Sequence, residues 1–113
     1  EAIGSLKKEI VRTNEILYEL CDCKEISIRV TTLSKPMCPK FHVDAVACRM
    51  LLTISGGGTE WISRDDVDES VLANRWLDTA PLKTGKEIRQ LKTSAMSLLK
   101  GGSRQEGFEG VVH

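Results

Sequence analysis

Apolar residues between Ala2 and about Cys21 recur at Ile3, Leu6, Ile10, Leu17 and Cys21, with Val11, Ile16 and Leu20 widening the stripe. That spacing follows the 3.6-residue period of a helix with one apolar face, and predicts an N-terminal amphipathic helix within residues 1–23. From Ile26 to Val30 the period drops to two, with Ile26, Ile28 and Val30 on one side and Ser27 and Arg29 on the other. A half-buried strand is expected there. Pro36 and Pro39 interrupt the chain, after which Phe41 to Ile54 alternates again up to Gly56-Gly57-Gly58. The glycines predict a turn, and Thr59 to Ile62 the strand that returns from it, so the pair reads as a hairpin. Asp65, Asp66, Asp68 and Glu69 place negative charge where a helix would start, and the spacing of Val67, Val71, Leu72 and Trp76 is loosely helical. A helical insertion over about 65–78 follows, its acidic start matching the helix dipole. Pro81 and Gly85 mark a loop, Ser94 to Leu99 a strand, Gly101 to Gly110 a polar loop, and Val111 the opening of a further strand.

One helix followed by several short strands places the chain in the α+β class, mainly β. The strands would form a small antiparallel sandwich or barrel over residues 26–113. The 113 residues suffice for a single domain. Because the chain starts at Glu1 and ends on the strand-like Gly110-Val-Val-His113, it is expected to be a fragment that continues beyond His113. Sixteen basic and sixteen acidic residues cancel, which argues against a nucleic-acid partner. The apolar stretches Ala45 to Cys48 and Met50 to Ile54 are too short for a bilayer span. Cys21, Cys23, Cys38 and Cys48 match no zinc-finger or redox spacing, and no Asn-x-Ser/Thr sequon occurs. Four reduced thiols in an intracellular setting, cytoplasmic or organellar, are the expectation.

The chemistry concentrates at His42-Val43-Asp44. Residues two apart in a strand share a face, so His42 and Asp44 would project together, with Val46, Cys48, Met50, Leu52 and Ile54 continuing that face and Arg49 and Thr53 opposite. A carboxylate leading an apolar row calls for a partner, since an unpaired buried Asp is strongly disfavoured. The only other histidine is His113. Two histidines and one carboxylate are the ligand inventory of the facial triad, which holds Fe(II) and leaves adjacent positions open. His42, Asp44 and His113 are therefore the predicted metal ligands. A Zn²⁺ or Ni²⁺ site completed by Cys38 or Cys48 is the alternative. Thr84-Gly85-Lys86 lacks the glycine that a phosphate loop needs at Ala80, and the acidic run near Asp65 lacks calcium-loop spacing.

Met37-Cys-Pro-Lys-Phe-His-Val-Asp44, Arg49-Met-Leu-Leu-Thr53, Gly56-Gly-Gly-Thr-Glu-Trp61, Leu98-Leu-Lys-Gly101 and Gly110-Val-Val-His113 together resemble the uncharacterised family known as domain of unknown function 1826. The order of His-x-Asp, glycine-rich turn and distal His is also similar to that of Fe(II)/2-oxoglutarate oxygenases. That similarity implies a double-stranded β-helix of cupin or jelly-roll type, 2-oxoglutarate as co-substrate, and hydroxylation of a small-molecule or protein substrate. Those oxygenases carry a basic residue after the distal His that grips the co-substrate carboxylate. Lys40 lies beside the ligands and Arg49 faces away by parity, so neither replaces it. A third reading is a non-catalytic subunit of a larger assembly, in which a partner covers the open sheet edges or the N-terminal helix.

Overall fold

The computed structural model describes residues 2–102 and 109–113. It divides into two compact units, Glu1–Ser34 and Lys35–His113. In the first, helix α1 spans Ala2–Cys21. Leu6, Ile10, Ile16, Leu17 and Cys21 are half-buried on it, whereas Ile3, Val11 and Leu20 are exposed. The helix stops where Asp22 adopts φ 44°. This is the left-handed conformation with which helices commonly end, and Asp tolerates it better than most residues. The Asp22 N–H still donates to the Tyr18 carbonyl at 3.1 Å.

Residues 26–30 form no strand, and Ile28 and Val30 are more than half exposed. Alternation supplies a face, but a strand exists only when a neighbour receives its ladder hydrogen bonds. Among the described residues no ladder reaches this segment. Cys23 and Cys38 carry free thiols, while Cys21 and Cys48 do not, so the expectation of four reduced cysteines holds for two of them.

The second unit contains two antiparallel pairs. Strand β1 (Cys48–Leu52) pairs with β4 (Met96–Lys100), and β2 (Glu60–Trp61) pairs with β3 (Arg89–Gln90). The class is α+β as expected, with one N-terminal helix and a few antiparallel strands. Each ladder contains two strands, and a double-stranded β-helix is not shown by them. The hairpin across Gly56–Gly58 does not form, because residues 59–61 turn to 89–91 instead of folding back on β1. Gly58 explains the choice. A Cβ built there would fall well inside the Leu91 carbonyl oxygen, so the missing side chain is what lets the two backbones meet. Leu91 N–H then donates to Thr59 O at 2.9 Å.

The predicted helical insertion is shorter than 65–78. It consists of a 3-10 turn, Arg64–Asp66, and helix α2, Glu69–Ala73. Asp68 caps α2: its carboxylate accepts from the N–H groups of Ser70 at 3.0 Å and Val71 at 3.2 Å and from the Ser70 hydroxyl at 2.6 Å. The Ser70 hydroxyl, followed by the Val71 N–H, holds this carboxyl below its usual 3.8. A lowered acid stabilises the fold in full above its ordinary value and loses that contribution as pH falls through the lowered one. Asp68→Ala is expected to lower the melting temperature at neutral pH. Asp68→Asn, which still caps, should leave neutral melting nearly unchanged and flatten the acid limb below about pH 4. Melting curves across that range check both.

The core is small. Ile62, Val67 and Val112 are almost fully buried, with Phe41, Val43, Leu72 and Leu82 packed around them. Val112 is its centre, bridging Val43 on one side and Ile62 on the other. The predicted final strand is thus realised as a bridge held from both sides. Most of the predicted polar loop Gly101–Gly110 lies outside the described residues. Among those described, no helix is long and apolar enough to cross a membrane.

Candidate metal centre

His42 and His113 stand directly opposite each other. The His42 N–H donates to His113 O and the His113 N–H donates to His42 O, both at 3.0 Å. This reciprocal pair is a feature of antiparallel chains that sends the two side chains to one face. The imidazole centroids are 4.7 Å apart and inclined by 50°. Asp44, two residues past His42, reaches the same place. His42 Nε2 lies 3.3 Å from Asp44 Oδ1, and His113 Nε2 lies 3.6 Å from Oδ2. The three residues predicted from sequence are thereby brought together, one ligand atom from each, all within 4.8 Å of one another.

Each histidine is oriented in the same way. His42 Nδ1 meets the Lys40 carbonyl at 3.0 Å, and His113 Nδ1 meets the Val111 carbonyl at 3.2 Å. A carbonyl oxygen only accepts, so both Nδ1 atoms are the donors, and in the neutral imidazole each Nε2 then presents a lone pair. Those lone pairs face a carboxylate that is itself acceptor-only. Asp44 is 7% exposed, and among the described residues no hydrogen-bond donor is aligned on its Oδ2. Arg49 Nε approaches Oδ2 to 2.8 Å and compensates its charge. Three acceptors converging in a largely buried setting make a site that a further cation would complete. Ligands bound at about 2.1 Å sit roughly 3.0 Å apart around an octahedral ion and about 3.4 Å apart around a tetrahedral one. The distance of 3.3 Å from His42 Nε2 to Asp44 Oδ1 already lies in that range, whereas a pair at the 4.8 Å limit of the cluster would close by more than an ångström around an ion.

The chain matches the family described as "Protein of unknown function (DUF1826)" over residues 1–113. It belongs to that family. No curated protein and no solved structure matches it. The family match takes in the N-terminal helix as well as the motifs from Met37 onward.

Two features of this DUF1826 chain escape a reading by sequence parity. Parity turns Arg49 away from the ligands, yet in the folded chain its Nε lies 2.8 Å from Asp44 Oδ2. The chain bends at residues 45–47, so alternation does not carry from Asp44 into β1. Within β1, Arg49 is paired with Leu99, which is 3% exposed, and cross-strand partners share a face. Arg49 therefore projects on the core side. Nothing in the residues 44–47 announces the bend, since neither Gly nor Pro occurs there.

The second feature is a pair of glycines. A Cβ on Gly101 would fall inside the Val46 carbonyl and 3.0 Å from the Asp44 carbonyl, and one on Gly110 would strike Val43 Cγ1 and the backbone of residues 101–102. Their bareness lets β4 and the terminal segment lie against the ligand-bearing loop. The hydrogen bonds Gly102 N–H to Asp44 O at 2.8 Å, Gly101 N–H to Ala47 O at 2.9 Å and Val111 N–H to Lys100 O at 2.9 Å close the arrangement. Lys40 sends its amine to the Arg75 carbonyl at 3.1 Å and toward Asp78 at 3.7 Å. Cys38 is exposed and does not belong to the cluster, and Trp61 lies under the Arg89 guanidinium, 5.2 Å from ring centroid to carbon.

Proposed function

We propose that this DUF1826 chain is a mononuclear metal protein in which His42 Nε2, His113 Nε2 and an Asp44 oxygen hold one divalent ion. The observation that carries this reading is the convergence of two imidazole nitrogens on the buried Asp44 carboxylate, His42 Nε2 at 3.3 Å from Oδ1 and His113 Nε2 at 3.6 Å from Oδ2. Arg49 Nε, 2.8 Å from Oδ2, offsets the charge of the carboxylate, while the two Nε2 lone pairs facing it remain for an ion to match. The carbonyls behind each Nδ1 are the outer contacts that metal-binding histidines ordinarily have, and they favour one tautomer and one ring orientation. Two imidazoles and one carboxylate favour Fe(II), with Zn²⁺ the competitor, and leave coordination positions for exogenous ligands. His42, 36% exposed in its side chain, is the solvent-facing ligand. Bound there, Fe(II) would supply the redox chemistry of an oxygenase. The chain's own share is to hold the three donors in register and to keep Asp44 and His113 out of bulk water.

Anaerobic Fe(II) titration should show one ion per chain. At a free concentration one hundred times the dissociation constant, binding adds about 2.7 kcal/mol, a rise in melting temperature on the order of 10 °C. Stoichiometric binding that survives both His42→Ala and Asp44→Ala would refute the reading. The oxygenase step is checked separately by succinate release from 2-oxoglutarate in the iron-loaded protein under air.

A further inference from the structure

We propose that the metal centre takes an anionic oxygen ligand, a carboxylate, held between the ion and the guanidinium of Arg49. The inference rests on the metal reading above and adds the chemical class of the ligand.

Charge is the first argument. With a divalent ion in place, the carboxylate of Asp44 and the guanidinium of Arg49 cancel and the two imidazoles are neutral. The cluster of His42, Asp44, Arg49 and His113 is then left with the ion's own two positive charges. A half-buried excess of that size is relieved most directly by an anion, because interactions in such a site are weakly screened. Neutral ligands leave it standing.

Access is the second. Asp44 and His113 are each 7% exposed in their side chains, whereas His42 and Arg49 are 36% and 46% exposed. A small molecule arriving from solvent meets the two exposed members, one a ligand of the ion and the other a cation beside it.

Geometry is the third. Arg49 places Nε 2.8 Å from Asp44 Oδ2, so the guanidinium lies one carboxylate's width from an atom that would bind the ion. Its terminal nitrogens carry four further N–H donors in a planar fork, a shape that matches the two oxygens of a carboxylate. One oxygen on the ion and the other on the fork would bind both charges at once. Arg49 is carried on β1, opposite the buried Leu99, and strands locate a side chain more firmly than loops do.

The test uses the full chain loaded with Co(II), whose visible absorption reports its ligands, and acetate as the anionic probe against imidazole as the neutral one. Metal content is measured in every sample. In the parent protein acetate should shift the spectrum. Arg49→Gln should weaken acetate tenfold or more while imidazole binds as before. Arg49→Lys, which keeps the charge but not the fork, should recover part of the loss. Acetate binding within twofold of the parent in Arg49→Gln, at full metal content, would overturn the proposal and leave the metal site intact. So would a loaded parent whose spectrum acetate leaves unchanged. Failure of the parent to take up the ion would instead remove the metal reading, and this inference with it.

Discussion

Asp44→Asn is expected to abolish metal binding while the apoprotein remains folded. The substitution keeps the shape of the side chain and exchanges one acceptor for an amide donor, so a site of three converging acceptors gains an N–H that can bridge to an imidazole Nε2 lying 3.3 or 3.6 Å from the carboxylate. In the absence of metal that exchange relieves the facing of acceptor on acceptor between the carboxylate and the imidazole Nε2 atoms. Arg49 loses its counter-ion, but its side chain is 46% exposed and water takes over much of that role. The apo melting temperature should therefore stay within a few degrees of the parent's, given that about 1 kcal/mol moves a domain of this size by roughly 4 °C. The metal-induced rise should vanish, with affinity down by a factor of about 100 or more, beyond the loss expected for removing an outer contact. Calorimetric titration and paired melting curves with and without Fe(II) or Zn²⁺ read both quantities. A metal-binding isotherm unchanged in Asp44→Asn would exclude the carboxylate as a ligand.

Gly101→Ala is expected to be the most damaging of the glycine-to-alanine changes among the described residues. Its Cβ would enter the Val46 carbonyl and crowd the Asp44 carbonyl, both backbone atoms that cannot rotate away. The only relief is to separate β4 from the loop at residues 44–47, breaking the bonds that Gly101 and Gly102 donate to Ala47 and Asp44. Overpacking of this kind costs roughly 1–3 kcal/mol, and each lost buried backbone bond adds about 1 kcal/mol or more. The total is expected near 4 kcal/mol, a large share of the stability of a small domain. Chemical denaturation measures it. Because Asp44 is carried on the displaced loop, the metal isotherm should weaken in parallel. Gly4→Ala, where nothing lies within 4 Å of the added methyl, is the control: it should leave the metal isotherm unchanged and, being a Gly-to-Ala change within α1, raise stability by up to about 1 kcal/mol.

The helix, the acidic start of α2 and the strand beginning near residue 94 are legible in local pattern, because each is decided by contacts a few residues away. Asp68 is a clear case: a carboxylate followed by Ser70 and Val71 meets its partners within three positions. The pairing of strands is not legible in that way. Ile26 to Val30 and Thr59 to Trp61 carry similar alternation, yet among the described residues only the second joins a ladder, with Arg89–Gln90, about thirty residues on. Alternation states which residues share a face; it does not state who supplies the neighbouring backbone.

The candidate site divides along the same line. Its composition was determined by the sequence alone: a chain with two histidines, one of them two residues from an aspartate, has few ways to assemble a mixed nitrogen and oxygen donor set. What tertiary structure decided is that His113 lands opposite His42 through a reciprocal backbone pair. It also decided that Val112 is gripped between Val43 and Ile62, and that a bend after Asp44 turns Arg49 inward. Ligand identity is a matter of side-chain chemistry, which is written residue by residue. Ligand convergence depends on hydrogen bonds between segments some seventy residues apart, and those bonds come into being only when the chain closes on itself.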